Sequence, residues 1–349
     1  MLSRAALREL ILDRPVGFFI TLPRQRQAVS RLIVFPGSAF GFGDMPHMAN
    51  IVAIGECMVE LSLLGDGAAG LGYAGDVFNT AVYLSRFGDH VDFVSAVGSG
   101  DPFSQDILNR LEQEGVSASL VAEVRGKLPG LYAIARAADG ERQFFYWREQ
   151  SPFRQMFDRG DFDRIRSALV ASDLIFLSGI TQAVIGEAGR RNLHGLLADA
   201  KSMGVQIAFD PNYRPRLWPS PKSAREALEE IAPYCSLISV SQPDLDAIYG
   251  TDATKALGDW ANCGVEVVNR HEDRTVEIFV DGQVYLLPAP EGVRATDTTG
   301  AGDSFNAGYI SARLSGRGFD ASVATGRRIS AAVVQHLGAI ISVADMPRP

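Results

Sequence analysis

The residues with the clearest chemical potential lie near the C-terminal end, where two glycines precede an aspartate. Gly300, Gly302 and Asp303 belong to the string Asp-Thr-Thr-Gly-Ala-Gly-Asp-Ser-Phe-Asn-Ala-Gly at 297–308. Apolar residues follow at helical spacing: Phe305, Tyr309, Ile310 and Leu314. The glycines are therefore predicted at a helix N-terminus, where free N–H groups and the helix dipole bind an anion. Asp303 would lie beside that anion, although an aspartate here can also simply cap the helix.

Other motifs for nucleotide binding or catalysis are missing from the sequence. There is no Gly-x-x-x-x-Gly-Lys-Ser/Thr loop, no Gly-x-Gly-x-x-Gly after the first strand candidate and no His-Glu-x-x-His pair. Ser304 stands in Gly-x-Ser-x-Asn, which is not the string of a nucleophile elbow. A nucleotide bound by this chain is therefore expected at the glycine turn.

The composition excludes several classes of protein. The chain has 349 residues, 46% hydrophobic and 21% charged, which rules out a disordered, collagen-like or coiled-coil chain. A net charge of −8 argues against a nucleic-acid surface, and no stretch approaches the roughly 20 apolar residues of a membrane span. Three cysteines without Cys-x-x-Cys spacing indicate neither a disulfide framework nor a zinc site. We therefore expect a cytoplasmic protein without nucleic-acid or membrane partners.

Residues 1–47 differ from the rest of the chain. They contain six arginines, three acidic residues and no lysine, and they show no sustained strand or helix period. A transit peptide has such a charge balance, but serine is scarce here and no amphipathic run is present. We expect residues 1–47 to be an N-terminal extension outside the natural fold, with a natural start at Met48 and a folded domain at 48–349.

From Met48 onward, short apolar runs alternate with helix-length segments. The predicted strands cover 51–54, 91–97, 174–177, 205–209, 237–240, 265–268 and 276–280, and the predicted helices cover 76–87, 102–114, 183–203, 221–231, 303–314 and 321–336. This alternation predicts an α/β fold with a mostly parallel central sheet and helices on both faces. Two segments interrupt it. An Asp-Gly turn between 131–135 and 143–147 predicts a hairpin, which 61–73 would join in a small separate sheet.

Seven strings together resemble the ribokinase-like (PfkB) carbohydrate kinases. Besides 297–308, they are Gly-Glu-Cys-Met-Val-Glu-Leu-Ser from 55, Gly-Asp-Val-Phe-Asn from 75, Leu-Pro-Gly-Leu-Tyr from 128, Phe-Tyr-Trp-Arg from 145, Leu-Ser-Gly-Ile from 177 and Asp-Pro-Asn-Tyr-Arg-Pro-Arg-Leu-Trp from 210. The resemblance runs from about Asn50 to the C-terminus. It implies the ribokinase-like fold, a β-sheet lid over the sugar from segments near 61–75 and 128–150, and ATP and Mg²⁺ as cofactors. The aromatic strings are most similar to members that phosphorylate the C6 hydroxyl of 2-keto-3-deoxygluconate.

The resemblance also implies roles for individual residues. Asp303 would be the general base, and the N–H groups of Gly300, Ala301 and Gly302 would hold charge on the transferring phosphoryl group. Arg148 and Arg214 would bind the carboxylate of the sugar acid, a task that suits the arginine fork. The remaining sugar-binding residues would be Gly75, Asp76, Asn79, Tyr132 and Tyr146. Taken without the resemblance, Asp76 is equally a helix cap, Arg148 a solvated charge and each tyrosine a packing residue.

The chain departs from the family pattern at three places. A Gly-Gly-Asp string appears as Ala-Gly-Asp at 74–76, and an Asn-x-x-Glu motif appears as Ser-Gln-Pro-Asp at 241–244. The resemblance places Ser241, Asn269 and Thr298 near the nucleotide, and Asp244 near Mg²⁺ through water. A Lys-x-Gly-x-x-Gly loop is replaced by Asn-Arg-His-Glu-Asp from 269, so nucleotide affinity or preference is expected to differ.

Two other functions stay open at this point. One is a related kinase for a neutral sugar such as ribose or fructose, which would leave Arg148 and Arg214 without a task. The other is a sugar-acid or nucleotide sensor that has lost turnover. The altered segments at 241–244 and 268–273 favour this function. The resemblance further implies a small-molecule sugar acid and a nucleotide as partners, and a homo-oligomer, a dimer or higher, because lids of this family often join subunits.

Overall fold

The computed structural model describes residues 48–64, 67–136, 142–158, 162–290, 292 and 295–347. The predicted N-terminal extension at 1–47 and the predicted Asp-Gly turn at 139–140 lie outside these residues. Within the described part, no helix is both long and apolar enough to cross a membrane.

The described part contains fourteen β-strands and nine α-helices. The strands are β1 (Asn50–Ile54), β2 (Met58–Leu63), β3 (Ala69–Ala74), β4 (His90–Ser99), β5 (Val116–Ser117), β6 (Val121–Arg125), β7 (Leu131–Arg136), β8 (Arg142–Trp147), β9 (Leu174–Ser178), β10 (Gln206–Asp210), β11 (Leu237–Ser241), β12 (Glu266–Arg270), β13 (Val276–Val280) and β14 (Gln283–Leu287). The helices are α1 (Asp76–Arg86), α2 (Pro102–Gln113), α3 (Asp163–Ala171), α4 (Gly179–Ser202), α5 (Pro221–Ile231), α6 (Gln242–Tyr249), α7 (Ala253–Asn262), α8 (Ala301–Leu314) and α9 (Phe319–Val333).

The large sheet has the order β14-β13-β12-β11-β10-β9-β1-β4-β5, with β6 also pairing with β4. All pairs from β12 to β5 are parallel, and only β13 and β14 run antiparallel at one edge. The side chains of β9 alternate between two cores. Ile175 and Leu177 face the core that contains residues of α4 to α7, whereas Leu174 and Phe176 face the core beneath α1, α2, α8 and α9. The predicted parallel sheet with helices on both faces is confirmed.

Each of the seven predicted strands is present, and the main differences concern helices. The helix α4 begins at Gly179 and is interrupted by a kink at Gly186, which has a non-helical φ of 68°. The prediction covered 183–203 and therefore missed the first turn of the stretch before this kink. The helices α3, α6 and α7 were not predicted. They are short, with eight to ten residues, and α3 fully buries only Leu169, so an apolar stripe is faint.

A second sheet of four strands has the order β3-β2-β7-β8. It confirms the predicted small sheet, although β2 and β7 pair in parallel while the two outer pairs are antiparallel. The small sheet is tied to the rest of the fold at several points. The Tyr73 hydroxyl donates to Asp106 Oδ2 of α2 at 2.7 Å, and Arg216 Nη1 donates to the Phe144 carbonyl of β8 at 2.9 Å.

Gly75 joins this sheet to α1 and leaves no room for a side chain. A Cβ atom at this position would lie 2.0 Å from the carbonyl oxygen of Glu56, and the backbone there cannot move without displacing the strand ends. Only glycine therefore allows α1 to begin where it does, with Asp76 as its first residue.

Replacement of Gly75 by alanine is expected to lower the free energy of unfolding by about 2–3 kcal/mol, because the new methyl group overlaps a backbone atom. Urea unfolding measures this loss. The matched control is Gly72→Ala in β3, where a Cβ atom has its nearest neighbours at 3.7 Å and is tolerated. Equal stability of the two variants would contradict the close approach at Gly75.

Candidate active site

The polar residues of the candidate site meet at the carboxyl ends of the parallel strands. Asp210 is the last residue of β10, Ser241 the last of β11 and Arg270 the last of β12. The helices α1 and α8 begin beside them, since side chains from both helices contact one another and the β10 end. Open α/β sheets bind their ligands at this edge, because the loops after the strands converge there.

A tight turn precedes α8. Gly300 has a φ of 76°, a left-handed conformation, and a Cβ atom there would lie 2.7 Å from the Ala339 carbonyl oxygen. The buried carboxylate of Asp297 holds the turn, accepting hydrogen bonds from the N–H groups of Thr299 at 2.9 Å and Gly338 at 2.8 Å. The sequence prediction of a glycine turn at a helix N-terminus is confirmed by this geometry.

The N–H groups that follow the turn differ in what they contact. Ala301 donates to the Thr298 carbonyl at 3.2 Å, so it is partly satisfied. The N–H groups of Gly302 and Asp303 have no acceptor in the part of the chain that the structure describes. The first turn of α8 therefore offers free donors to an anion, at the positive end of the helix dipole.

Three asparagine side chains each donate a hydrogen bond to an aspartate of the site. The bonds are Asn79 Nδ2 to Asp303 Oδ2 at 2.8 Å, Asn212 Nδ2 to Asp76 Oδ2 at 2.8 Å and Asn306 Nδ2 to Asp210 Oδ2 at 2.6 Å. We call these the three Asn–Asp pairs. They join residues from α1, α8 and the end of β10, so they determine where each carboxylate lies. The alternative that Asp76 is a helix cap is wrong, because Gly75 is the N-cap of α1 and the Asp76 side chain is bound from another element.

Asp303 is the aspartate with the most altered acidity. Burial raises its pKa to about 7, and the nearby charges of Asp76 and Asp210 add to the increase. The hydrogen bond from Asn79 and the positive charge of Arg214 oppose it. Asp303 Oδ2 accepts the bond from Asn79, while Oδ1 has no donor among the residues described. Such a carboxylate can accept a proton from a hydroxyl group near neutral pH.

The two predicted carboxylate-binding arginines are in different situations. Arg148 is 5% exposed, and its guanidinium pairs with the Glu56 carboxylate, which Ser151 also contacts. Arg214 is exposed and donates to the carbonyl oxygen of its neighbour Tyr213 at 2.9 Å; within the described ranges it has no carboxylate partner. Arg148 is therefore already neutralised, whereas the charge of Arg214 is available.

The predicted tyrosines lie on the inner face of the small sheet. Tyr132 and Tyr146 are cross-strand partners with ring centroids 5.8 Å apart, and Phe144 packs against both rings. The Tyr132 hydroxyl contacts Glu60, and burial with this carboxylate raises its pKa, so it stays a neutral phenol. Tyr146 is 39% exposed and is the one of the two that is open to a ligand.

The predicted nucleotide and metal residues are mostly engaged in contacts of their own. The Ser241 hydroxyl accepts a hydrogen bond from the Asp244 N–H at 3.3 Å as the N-cap of α6, and Thr298 is exposed. Asn269 is fully buried, with Nδ2 within 2.6 Å of Gln242 Oε1 and 3.1 Å of Glu277 Oε2. These assignments to the nucleotide stay predictions.

Asp244 lies close enough to other charges for its acidity to change. Burial and the negative charge of Asp210 raise its pKa, whereas Arg214 and Arg270 act in the opposite direction. A carboxylate in this situation gains from a nearby cation. However, the described part of the chain contains no group of three or more metal-ligating side chains, so the protein alone does not form a complete metal cage there.

Sequence analysis missed four residues of this site. Glu56 contacts Arg148, and Asn212 contacts Asp76. Arg270 and Asn306 both contact Asp210. Glu56, Asn212 and Arg270 stand at or just after the end of a buried strand, and this position in the sequence was a usable signal. Asn306 lies three residues after Asp303, on a helix face that the sequence pattern does not distinguish from the core.

A cavity of about 470 Å³ lies elsewhere, along α5, α6 and α7. Its lining includes none of the residues above. The charges around it pair with one another, since Arg225 contacts Glu229 and Asp252 while Lys255 pairs with Asp259. The candidate active site is therefore the strand-end cluster and not this cavity.

The parallel sheet, the small sheet and the glycine turn beside an aspartate define a sugar kinase of the ribokinase type. The chain belongs to the pfkB family of carbohydrate kinases, whose family model matches residues 48–346. It is 37% identical over 307 residues to the 2-dehydro-3-deoxygluconokinase of Dickeya dadantii (strain 3937), covering 85% of this chain and 98% of that protein. It is 35% identical over 309 residues to the protein of the same name from Escherichia coli (strain K12), with the same coverage.

Solved structures show the same fold. The crystal structure of a fructokinase with bound ATP from Xylella fastidiosa superposes with a TM-score of 0.73. The match covers 85% of this chain and 95% of that chain, at 19% sequence identity. The ribokinase-like fold and the assignment to the carbohydrate kinases are therefore confirmed.

Proposed function

We propose that this protein transfers the γ-phosphoryl group of ATP to the C6 hydroxyl of 2-keto-3-deoxygluconate, giving 2-keto-3-deoxy-6-phosphogluconate. The observation that carries the proposal is Asp303, whose carboxylate lies at the free N–H groups of a glycine turn. The relatives named 2-dehydro-3-deoxygluconokinase, a synonym for a kinase of this sugar acid, support the substrate. The ATP in the similar fructokinase structure supports the nucleotide.

In this proposal, Asp303 accepts the hydroxyl proton and the turn holds the transferring group. The C6 oxygen attacks the γ-phosphorus, its proton passes to Asp303 Oδ1, and the bond between the γ-phosphorus and the ADP oxygen breaks. The N–H groups of Gly302 and Asp303 stabilise the charge on the transferring group. They are available because they have no acceptor in the described part of the chain. Phosphoryl transfer needs such positioning and charge stabilisation more than covalent help.

The carboxylate of the sugar acid binds to Arg214 in this proposal. Arg214 is exposed, and its charge acts on both Asp303 and Asp244, so it borders the same cleft. Arg148 contributes through Glu56, because the pair presents a fixed hydrogen-bonding edge instead of a free charge. The sugar site is completed by Gly75, Asp76, Asn79 and Tyr146.

Magnesium is the second cofactor of the proposal. Asp244 fits an indirect role, because burial and then the negative charge of Asp210 raise its pKa, and a nearby cation would stabilise its charged form. When bound with ATP, Mg²⁺ neutralises phosphate charge and usually keeps several of its waters. Asp244 would hold such a water in position, while Ser241 orients the start of α6.

One observation favours a neutral sugar as the alternative substrate. Because Glu56 neutralises Arg148, only Arg214 of the two arginines assigned to the sugar carboxylate has an available charge, and the sugar site is less basic than the sequence suggested. An assay of ADP release with ATP and Mg²⁺ on 2-keto-3-deoxygluconate, its galactonate epimer, ribose and fructose decides between the two. Turnover of ribose or fructose alone would overturn the sugar-acid assignment.

Replacement of Asp303 by asparagine is expected to lower kcat by about 10³-fold, because the hydroxyl proton loses its acceptor. In the unaltered protein, the raised pKa predicts that kcat/KM for the sugar acid is constant above about pH 7. Below that pH it falls tenfold per unit, since protonated Asp303 cannot act as a base. Both are measured with saturating ATP and Mg²⁺. Full activity of Asp303→Asn would show that another group is the base.

Replacement of Arg214 by alanine is expected to raise KM for the sugar acid by about 10–100-fold, because a hydrogen bond to a charged group is lost. The change in kcat is expected to be smaller. The matched control is Arg216→Ala, because this neighbouring arginine contacts Phe144 of the small sheet instead. Steady-state kinetics on acid and neutral sugars gives the comparison. An equal effect of both variants would argue against a carboxylate site at Arg214.

The small sheet is also the proposed contact between two copies of the chain. The face of this sheet opposite Tyr132 and Tyr146 carries Leu63, Leu71, Phe145 and Trp147, each 46–58% exposed, and the registered strands place no charged side chain among them. An uncharged apolar face of this kind is unusual on a monomer. A second copy can cover it by two-fold symmetry, because a self-matching interface needs no complementary charge.

Replacement of Leu71 and Phe145 by glutamate is expected to convert a dimer into a monomer, because each new charge would be buried in the two-fold interface. Light scattering after size-exclusion chromatography measures the mass. Val284→Glu on the exposed side of β14 is the matched control and leaves the dimer intact. A monomeric unaltered protein would overturn this interface.

A further inference from the structure

Arg270 is the charged residue of the site to which neither the sequence nor the resemblance gives a task. It ends β12, its side chain is 15% exposed, and its Nη2 donates to Asp210 Oδ2 at 3.1 Å and to the Ser239 carbonyl at 3.3 Å. The guanidinium also lies over the Phe305 ring, 5.7 Å from its centroid. Arg270 is thus held in place from three sides.

The opposite side of the guanidinium points to the glycine turn. A Cβ atom on Gly302 would lie 2.8 Å from Arg270 Nη1, so this nitrogen lies directly against the first turn of α8. Nη1 has no hydrogen-bond acceptor within the described ranges, and Nε is buried without one. One nitrogen is therefore anchored and another is free, beside the free N–H of Gly302.

The anchor of Arg270 is shared. Asp210 Oδ2 also accepts the 2.6 Å hydrogen bond from Asn306 Nδ2, and the Asn306 oxygen in turn accepts from the Ser239 hydroxyl at 2.7 Å. Asp210 therefore orients Arg270 while its charge is divided among three donors, since its Oδ1 also accepts from the Asn212 N–H at 3.0 Å. A half-satisfied buried guanidinium is costly unless an anion completes its coordination.

The charge balance of the site identifies that anion. The charges of Asp76 and Asp210 help to raise the pKa of Asp303, and that of Asp210 helps to raise the pKa of Asp244. Four carboxyl groups therefore border the cleft that a nucleotide would enter. A triphosphate entering this cleft needs a positive group at the turn. Arg214 is assigned to the sugar acid and Arg148 is paired with Glu56, which leaves Arg270 for this purpose.

We propose that Arg270 is a catalytic residue whose Nη1, together with the Gly302 N–H, binds the oxygens of the transferring phosphoryl group. This inference rests on the proposed kinase reaction. As the oxygen–phosphorus bond to the sugar forms and the bond to ADP breaks, charge is spread over the three oxygens of the group. Arg270 stabilises that charge and stays protonated throughout, while the hydroxyl proton goes to Asp303. It binds the transition state more tightly than the ground state.

The test uses Arg270→Ala and Arg270→Lys. The matched control is Arg313→Ala, because the Arg313 side chain is 14% exposed and pairs with buried Glu266 at 2.7 Å, much as Arg270 pairs with Asp210. Arg270→Ala is expected to lower kcat by about 10²–10³-fold, the effect of losing one transition-state donor, with little change in KM for the sugar acid. Arg270→Lys keeps the charge but not the fork, and gives an intermediate kcat.

Rescue and binding experiments separate catalysis from folding. Millimolar guanidinium chloride is expected to restore kcat of Arg270→Ala at least about tenfold and to leave Arg313→Ala unchanged. Unaltered kcat in a folded Arg270→Ala variant, or a loss that neither lysine nor guanidinium repairs, would overturn the proposal.

A second readout does not depend on the sugar. Aluminium fluoride with ADP mimics the transferring phosphoryl group, and calorimetry gives the gain in ADP affinity that the fluoride produces. Arg270→Ala is expected to lose about 100-fold of this gain while keeping its affinity for ADP alone. If the unaltered protein shows the gain but phosphorylates no sugar acid, the substrate is wrong and Arg270 stands. An equal gain in both proteins would overturn the role of Arg270.

Discussion

The candidate active site depends on carboxylates that are each held by an amide, and only Asp210 also pairs with a cation among the residues described, Arg270. Each of the three Asn–Asp pairs fixes an aspartate through a neutral donor, so the carboxylates keep their direction without losing charge. An ion pair would have lowered the pKa of Asp303 far below neutral. The amide from Asn79 opposes burial only in part, and the pKa of this carboxyl remains near 7. The acidity of Asp303, the proposed proton acceptor, therefore depends on its neutral neighbour Asn79.

The three arginines of the site are held in different ways. Glu56 binds Arg148 beneath the small sheet, Asp210 anchors one side of Arg270, and Arg214 remains exposed. This division gives the two ends of the cleft different tasks. Arg214 suits the acid group of a small ligand, whereas the Arg270 side of the cleft adjoins the glycine turn. A single shared cation could not serve both ends of a substrate.

The parts that sequence predicted well are those set by local pattern. The buried strands, the glycine turn and the position of Asp303 follow from apolar periodicity and from the conformational freedom of glycine, and they were found. Asn212 and Asn306 were not found, because an amide gains its role from a carboxylate far away in the chain. Arg270 was missed for a related reason. The family pattern has a lysine where this chain has Asn269, and the missing lysine and glycines drew attention away from the next residue. That residue is Arg270, whose guanidinium reaches the turn.

The hydrogen bond from Asn79 to Asp303 joins residues 224 positions apart. Close by, the Tyr83 hydroxyl donates to the Ala339 carbonyl across 256 positions, and that carbonyl also adjoins Gly300. Asp303, its donor Asn79 and the turn therefore come together only after nearly the whole chain has left the ribosome. A nascent or prematurely terminated chain lacks this arrangement. On the proposed mechanism, synthesis itself thus delays the activity until the last helices have packed.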